Sequence, residues 1–236
     1  MSTHIVKSFD AELAELDSLV AEIGGHAEKL LSDACTSLER RDPRLAAEAV
    51  ANDAVIDSLE RRIQENAIIM IARRQPMAED LRHVMTVLKI AGDIERIGDL
   101  AKNIAKRSIA LASESYPRNL VNGVRHMGQQ ALLQLKNVQD AVARRDVDAA
   151  MQVWQNDAGL DELYNSVFRE LLTYMMEDPR SIGLCTHLLF AAKNLERIGD
   201  HATNIAENLH YLVKGTLPSL ERPKSDETST LLVGKD

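Results

Sequence analysis

The sequence predicts an all-α protein made of two tandem, pseudo-symmetric three-helix bundles, with six long helices and no sheet. The pentapeptide Glu-Arg-Ile-Gly-Asp occurs at residues 95–99 and again at 196–200, an offset of 101 positions. Apolar residues recur mainly at spacings of three and four, and no stretch shows sustained alternation with period two. Aromatic residues make up only 3% of the chain, which is typical of long helices rich in Ala, Leu, Ile, Glu and Arg.

Three helices are predicted in the first half, over residues 9–38, 43–74 and 77–111. The two adjacent glycines at 24–25 interrupt the first helix and indicate either a kink or a close crossing with another helix. Asp42 is a suitable N-cap for the second helix, because Pro43 follows it at the first helical position. Pro76 then ends the second helix.

The second half repeats this plan, with helices predicted over residues 120–142, 147–176 and 182–213. The tripeptide Arg-Arg-Asp at 40–42 separates the first two helices, and it recurs at 144–146, an offset of 104 positions. The smaller offset of the pentapeptide indicates a short deletion at the later interhelix turn.

The domain boundary is predicted within a linker at residues 113–117, which contains Ser, Glu, Tyr and Pro. We therefore expect an N-terminal three-helix repeat over 1–113 and a C-terminal repeat over 114–215. Residues 216–236 mix Pro, Ser, Thr, Lys and Glu, and are predicted to form a flexible tail.

Charge and composition exclude some classes of function. A net charge of −8 and a pI near 5.4 argue against a nucleic-acid-binding protein, which would need a basic surface. The longest apolar run, at 67–72, is far shorter than the roughly 20 residues of a membrane span. Neither a signal peptide nor a metal-ligand spacing around Cys35 and Cys185 is evident, so we expect a cytoplasmic protein with reduced thiols.

Pairs of acidic residues four positions apart are the candidate site. They occur at matching places in both halves: Asp53 and Asp57, Glu95 and Asp99, Asp157 and Asp161, and Glu196 and Asp200. Residues four apart lie on the same face of a helix. Since Ile94, Ile97 and Ala101 fall on roughly the opposite side from Glu95, we predict that these carboxylates lie on the outer face of the bundle. If the two acidic helices of each half are adjacent, their pairs converge as a patch of four carboxylates.

Stacked like charges destabilise a helix by roughly 0.2–0.5 kcal/mol per pair, so four such pairs favour a compensating cation. All-oxygen ligands suit magnesium, calcium, manganese, iron or zinc, with little selectivity among them. The alternative is a solvated acidic face neutralised by Arg96 or Lys102. The glycine of each pentapeptide, Gly98 or Gly199, indicates close backbone approach, either for helix packing or for a ligand. Among the histidines only His201, next to Asp200, is a plausible extra ligand.

The duplicated pentapeptide, Ala-Arg-Arg-Gln-Pro at 72–76 and Thr-Tyr-Met-Met-Glu-Asp at 173–178 together resemble the PhoU family of phosphate-specific transport system accessory proteins. The resemblance implies a cytosolic homodimer that restrains the phosphate-starvation response. It implies two partners, the ATPase subunit of the phosphate ABC transporter and a phosphate-sensing histidine kinase, with membrane association only through them. It also implies metal clusters bound through (Glu/Asp)-x-x-x-Asp motifs, and all eight acidic positions match that pattern.

Three hypotheses follow: a non-catalytic signalling adaptor, a carboxylate-ligated helical-bundle metalloenzyme, and a purely structural helical scaffold. The absence of Glu-x-x-His motifs and the predicted outward carboxylates argue against the metalloenzyme, because such enzymes bind metal inside the bundle. The scaffold would require neither the acidic pairs nor their duplication.

Overall fold

The computed structural model describes residues 2–114 and 118–219, without the side chains of residues 2–8, 118 and 119. Within these residues the chain contains no β-strand, which confirms the all-α class. Seven α-helices occur in the described part of the chain, in the order α1 (Ser2–Arg40), α2 (Pro43–Arg74), α3 (Glu79–Leu111), α4 (Asn122–Arg144), α5 (Val147–Gln155), α6 (Ala158–Glu177) and α7 (Ile182–Lys214). Short 3₁₀ turns at Arg118–Val121 and Pro179–Ser181 precede α4 and α7.

Equivalent aspartates begin the second helical segment of each half. Asp42 accepts hydrogen bonds from the backbone N–H groups of Arg44 and Leu45 at 3.0 and 3.1 Å. Asp146 accepts one from the N–H of Ala149 at 3.0 Å. Both side chains accept hydrogen bonds from N–H groups that have no partner within the helix. The predicted N-cap, Asp42, is therefore confirmed, and Asp146 caps α5 in the same way.

The predicted helix over 147–176 is wrong at one point, because the chain leaves the helix at Asn156 and Asp157 to form α5 and α6. The N–H of Gly159 bonds to the carbonyl of Asn156, only three residues back, so the α-helical pattern is interrupted there. The same Asn-Asp dipeptide at 52–53 stays inside α2. Glycine is a poor helix former, and the position equivalent to Gly159 in the first half is Val55.

The two halves pack side by side, with α1 against α4 and α3 against α7, while α2 and the α5–α6 pair lie outside these four helices. Helices α3 and α7 are antiparallel. Arg82, near the start of α3, lies against Gly215 at the end of α7. Arg107, near the end of α3, stacks 4.3 Å from the ring centre of Phe190 near the start of α7.

Helices α1 and α4 cross through two matching contacts. A Cβ atom on Gly24 would lie 3.0 Å from the side chain of Gln139, whose Nε2 donates to the Gly24 carbonyl at 3.1 Å. A Cβ atom on Gly128 would lie 2.8 Å from Sγ of Cys35. Both the glycines and their partners are 104 positions apart, so the crossing repeats the internal duplication. Of the two readings of the glycine pair, the close crossing is the one observed.

One continuous apolar core runs through both halves, and includes Ile23 of α1, Ile94 of α3, Leu135 of α4 and Ile198 of α7. Both cysteines are free thiols, as predicted. Residues 115–117 of the predicted linker and 220–236 of the predicted tail lie outside the described residues. The domain boundaries therefore stay predictions.

Candidate functional site

The acidic pairs of the first half converge between α2 and α3. We call Asp53, Asp57, Glu95 and Asp99 the first acidic cluster. Lys102 joins the two helices, because its Nζ lies 2.5 Å from Oδ2 of Asp53 and 2.6 Å from Oδ1 of Asp99. The negative charge of Asp57 on α2 is one of the smaller contributions that raise the pKa of Glu95 on α3. The structure therefore brings Asp53 of α2 and Asp99 of α3 to the same lysine, and the predicted patch of four carboxylates stays a prediction.

The matching residues of the second half, Asp157, Asp161, Glu196 and Asp200, form the second acidic cluster, between α6 and α7. Oδ1 of Asp157 lies 3.0 Å from the position of a Cβ atom on Gly199, between the two acidic residues of α7. Lys193 precedes the pentapeptide by one turn, and its Nζ lies 2.9 Å from Oε1 of Glu196.

The predicted outer-face position of these carboxylates is wrong. Four of the eight side chains belong to buried residues: Asp53, Asp157, Asp161 and Glu196. The other four are half-buried: Asp57, Glu95, Asp99 and Asp200. The acidic pair of α3 points away from the apolar stripe of the same helix, as predicted from the sequence. Helix α2, however, packs against this acidic side of α3. The clusters therefore lie in the seams between helices.

Lys102 supplies a positive charge inside the first acidic cluster. Burial by itself would lower the pKa of Lys102, but hydrogen bonds to Asp53 and Asp99, and their negative charges, outweigh burial and raise it. The ammonium group therefore stays charged. Arg96 contacts Glu95 and Asp99 at 3.5 Å from a largely exposed position, where solvent screens the interaction. The neutralisation that the sequence offered as an alternative is present in this half.

Negative charge nevertheless remains in excess around Glu95. Burial raises the pKa of its carboxyl group, and repulsion from Asp99, Asp57 and Glu60 adds to this effect, against the opposing charge of Arg96. In addition, Oδ1 of Asp53 is buried and has no hydrogen-bond partner. The unpaired buried oxygen of Asp53 and the disfavoured charged form of Glu95 both indicate that this seam would accept further positive charge.

The pentapeptide glycines allow the neighbouring helix to approach closely. A Cβ atom on Gly98 would lie 2.9 Å from an isoleucine of α2 and 3.6 Å from Oδ1 of Asp53. A Cβ atom on Gly199 would lie 2.7 Å from Leu160 and 3.0 Å from Oδ1 of Asp157. Of the two readings of these glycines, helix packing is the one observed. It also brings an aspartate of the neighbouring helix against the backbone of the motif.

The donor set suits a hard cation, because it consists of carboxylate oxygens on two facing helices. Across residues 2–114 and 118–219, however, no three His, Cys, Asp or Glu side chains are grouped as they would be around a metal ion. Between Asp53 and Asp99 the bridging position is held by the ammonium of Lys102. Metal binding at the eight predicted positions therefore stays a prediction.

His201 of α7 contacts the first half of the chain through one of its ring nitrogens. Its Nδ1 lies 2.9 Å from Oδ1 of Asp93 on α3, and Asn204 and Asn208 of α7 donate to the same carboxylate. Asp93 therefore links the two halves, a role that periodicity within one half could not indicate.

Sequence reasoning also missed Gln134 of α4, whose side-chain oxygen lies 3.0 Å from the position of a Cβ atom on Gly199. A position-by-position comparison of the two repeats could have drawn attention to Gln134, because the repeats differ there. The equivalent of Gln134, at the offset of 104, is the apolar Leu30, and the equivalent of Lys102, at the offset of 101, is Thr203.

These features define a class: an internally duplicated helical protein whose halves each enclose an acidic seam between two long helices. The family model of the PhoU domain matches residues 20–108 and 124–209, once in each half. The chain belongs to the PhoU family.

Two curated relatives match over nearly the whole chain. The phosphate-specific transport system accessory protein PhoU homolog of Rhizobium meliloti is 52% identical over 97% of this chain and 96% of the relative. The protein of the same name from Caulobacter vibrioides is 48% identical over 97% of this chain and 100% of the relative.

Two crystal structures share the fold. That of PhoU from Pseudomonas aeruginosa superposes with a TM-score of 0.86 at 43% identity, covering 88% of this chain and all of that one. That of the phosphate transport system regulatory protein PhoU from Streptococcus pneumoniae gives a TM-score of 0.82 at 28% identity, over 90% of this chain and all of that one.

The metalloenzyme hypothesis gains no support from these comparisons. The carboxylates lie within the helical seams and not on the outer face, so their position does not distinguish this protein from such an enzyme. The sequence still lacks the Glu-x-x-His motifs that such enzymes use to bind metal.

Proposed function

We propose that this protein is a non-catalytic regulatory adaptor of phosphate transport, which restrains the phosphate-starvation response when phosphate is plentiful. The observation that carries this proposal is the similarity to PhoU accessory proteins across both repeats and nearly the full length of each chain. Two family-model matches, one per half, support a role that needs the whole duplicated structure.

The adaptor acts by contacting two partners, the ATPase subunit of the phosphate ABC transporter and a phosphate-sensing histidine kinase. It does so in the cytoplasm as a homodimer, and it reaches the membrane only through these partners. In the part of the chain that the structure describes, no helix contains an apolar stretch long enough to cross a bilayer.

Deletion of the gene in its native host tests the regulatory role. We expect transcripts of phosphate-scavenging genes to rise in high-phosphate medium, and a plasmid copy of the wild-type gene to restore their repression. Unchanged transcript levels in the deletion strain would contradict the proposal.

Divalent or transition metal ions, such as magnesium, manganese, iron or zinc, are the cofactors that we propose for the acidic clusters. The candidate ligands are the eight carboxylates: Asp53, Asp57, Glu95, Asp99, Asp157, Asp161, Glu196 and Asp200. A bound cation would supply positive charge between two helices that otherwise hold like charges together. The raised pKa of Glu95 and the unpaired oxygen of Asp53 support this role.

Elemental analysis of the purified protein tests the metal proposal. We expect metal in the wild type and its loss from the double variant Asp99→Asn/Asp200→Asn, which removes one carboxylate from each cluster. Glu65→Gln, on the exposed face of α2, is the control for the loss of an acidic charge. Equal metal content in all three proteins, or none in any, would contradict the proposal.

A further inference from the structure

We propose that Arg107, near the end of α3, and His187, near the start of α7, form a binding site for a phosphate oxyanion, with inorganic phosphate as the ligand. Neither residue belongs to an acidic cluster. The site goes beyond the adaptor role proposed above, and only its regulatory meaning, a direct response of the adaptor to phosphate, rests on that role. The inference follows from the unused donors of Arg107, from its basic neighbour and from a difference between the two repeats.

Arg107 is a half-buried arginine that leaves hydrogen-bond donors unused. Its Nη1 donates to Nδ1 of His187 at 3.4 Å, and its Nε is buried and has no hydrogen-bond partner. Among the residues that the structure describes, no carboxylate forms an ion pair with Arg107. Because a partly buried charge without a counter-ion is costly, this arrangement favours the binding of an anion.

The pKa of Arg107 reflects the missing counter-ion. Burial lowers the pKa of its guanidinium group, and no negative charge offsets this effect. Arg74 provides the contrast, because its hydrogen bond to Glu12 and the negative charge of Glu12 outweigh burial and raise its pKa. An anion bound at Arg107 would do what Glu12 does for Arg74.

The neighbour of Arg107 is itself a base. His187 accepts the hydrogen bond of Arg107 through Nδ1, so its neutral ring carries the proton on Nε2 and can donate it to a ligand. If the ring is protonated instead, two positive charges lie 3.4 Å apart, and an anion between them relieves their repulsion. In either protonation state, both residues have N–H groups to offer to an oxyanion.

Phe190 holds the guanidinium group of Arg107 in place at the surface. The centre of this group lies 4.3 Å from the centre of the ring, and Phe190 is 50% exposed. A guanidinium group that stacks on an aromatic ring keeps the N–H groups at its edge available, because they point outward in its plane. The donors are therefore oriented before a ligand arrives, and an ion from solution can reach them.

These donors suit phosphate better than a carboxylate. The fork of an arginine binds two oxygens side by side. A carboxylate has only those two oxygens, so it would leave the imidazole N–H of His187 without a partner. Phosphate has further oxygens that can accept from His187 while two others bind Arg107. A tetrahedral oxyanion thus satisfies both basic side chains at once.

The internal repeat offers a comparison elsewhere along the α3–α7 contact. There the carboxylate of Asp93 accepts hydrogen bonds from Asn204 and Asn208. At the offset of 101 positions, Asp93 corresponds to Asn194, and Asn208 corresponds to Arg107. One half therefore supplies a carboxylate where the other has a neutral amide, and an amide where the other has a guanidinium. A bound anion would do for Arg107 what Asp93 does for Asn208.

Titration of the full-length protein with sodium phosphate tests the site, with sodium chloride keeping the ionic strength constant. Nitrogen–proton correlation spectra follow the Nε–H groups of the arginines, and the signal of Arg107 is identified by its absence from Arg107→Gln. We expect this signal to shift with phosphate and to reach saturation. By calorimetry, phosphate binding should weaken about tenfold or more in Arg107→Gln and about threefold or more in His187→Gln.

Each variant has a matched control. Lys106→Gln removes the exposed positive charge next to Arg107, and His126→Gln removes an exposed histidine from α4. We expect both controls to bind phosphate like the wild type. Far-ultraviolet circular dichroism verifies that every variant is folded, and saturation of the signal is measured in the unsubstituted protein.

Three results would overturn the phosphate site. The first is a signal of Arg107 that does not shift with phosphate, or shifts equally with chloride alone. The second is equal affinity for acetate, which would identify a carboxylate site. The third is equal phosphate affinity of Arg107→Gln and Lys106→Gln, which would place any binding elsewhere on the molecule.

The regulatory meaning is tested separately, by plasmid copies in the deletion strain described above. At equal protein abundance, Arg107→Gln should fail to repress the phosphate-scavenging genes in high phosphate, whereas Lys106→Gln should repress them. If Arg107→Gln represses like the wild type, phosphate bound at this site does not regulate the response. If the wild-type copy itself does not repress, the adaptor proposal is wrong, and the binding results still decide whether the site exists.

Discussion

At the scale of single residues, the acidic seams depend on two glycines and on the charges placed around them. The duplicated pentapeptide could be found from the sequence, as could the fact that four acidic pairs occupy matching positions. Their burial could not, because a helical wheel relates each residue to one apolar stripe only. It contains no information about α2, which covers the other side of α3.

Replacement of Gly199 by alanine should destabilise the fold by about 1–3 kcal/mol, since the new methyl group would meet Leu160, Asp157 and Gln134 within 3.0 Å. Gly92 is the control, because a Cβ atom there has no neighbour within 4 Å. Gly92→Ala should therefore stabilise the protein by up to about 1 kcal/mol through helix propensity. Urea unfolding measures both values, and equal effects would show that the close approach at Gly199 is unimportant.

The raised pKa of Glu95 predicts a pH-dependent effect on stability. Protonated Glu95 is favoured in the folded state, so its contribution is fully present below its ordinary pKa of 4.5 and is lost as the pH rises through the raised value. Glu95→Gln should therefore raise the melting temperature at pH 7, with a difference that shrinks toward pH 4. The measurement includes a chelator, so that bound metal does not compensate.

Glu65→Gln serves as the control for this pH effect, because it removes an exposed carboxylate from α2, outside the first acidic cluster. Its melting temperature should follow that of the wild type at both pH values. The same gain at pH 7 from both substitutions would show that the benefit comes from net charge and not from the first acidic cluster.

At the scale of helices, the periodicity and the Arg-Arg-Asp repeats predicted where the helical segments lie, and Asp42 was predicted as the N-cap of the second helix. The break between α5 and α6 was missed because the dipeptide Asn-Asp occurs in both halves and is helical in one of them. The two halves differ two residues after this dipeptide, where Gly159 in the second half matches Val55 in the first, and glycine is the poorer helix former of the two. The crossing of α1 and α4 could be predicted only in part for a similar reason. The glycine pair at 24–25 indicated a close contact but not which helix makes it.

The α1–α4 crossing predicts unequal effects of two equivalent substitutions. Gly128→Ala would place a methyl group 2.8 Å from Sγ and 3.4 Å from Cβ of Cys35, so that one of the two helices or the thiol must shift, and should destabilise the protein by about 1–3 kcal/mol. Gly24→Ala meets the flexible end of Gln139 at 3.0 Å, and should change stability much less. Combining Gly128→Ala with Cys35→Ala should recover much of the loss. Additive losses in the double variant would contradict the contact.

At the scale of the whole molecule, duplication produced a single body with one core and two unequal seams. The offsets of 101 and 104 positions predicted the repeat, and the family resemblance predicted the accessory role in phosphate transport. Neither could show that α3 and α7 are antiparallel or that the halves share their apolar interior. Those features depend on contacts between residues about 100 positions apart, which pattern analysis within a window does not detect.

Capture of partners from the native host tests the adaptor role most directly. The tagged full-length protein is purified from cells grown in high phosphate, after gentle solubilisation of the membranes. The eluate is probed with antibodies against the ATPase subunit of the phosphate transporter and against the phosphate-sensing histidine kinase. We predict that both are retained, and that an equally tagged unrelated helical protein retains neither. Absence of both partners from the eluate, with each present in the lysate, would contradict the account.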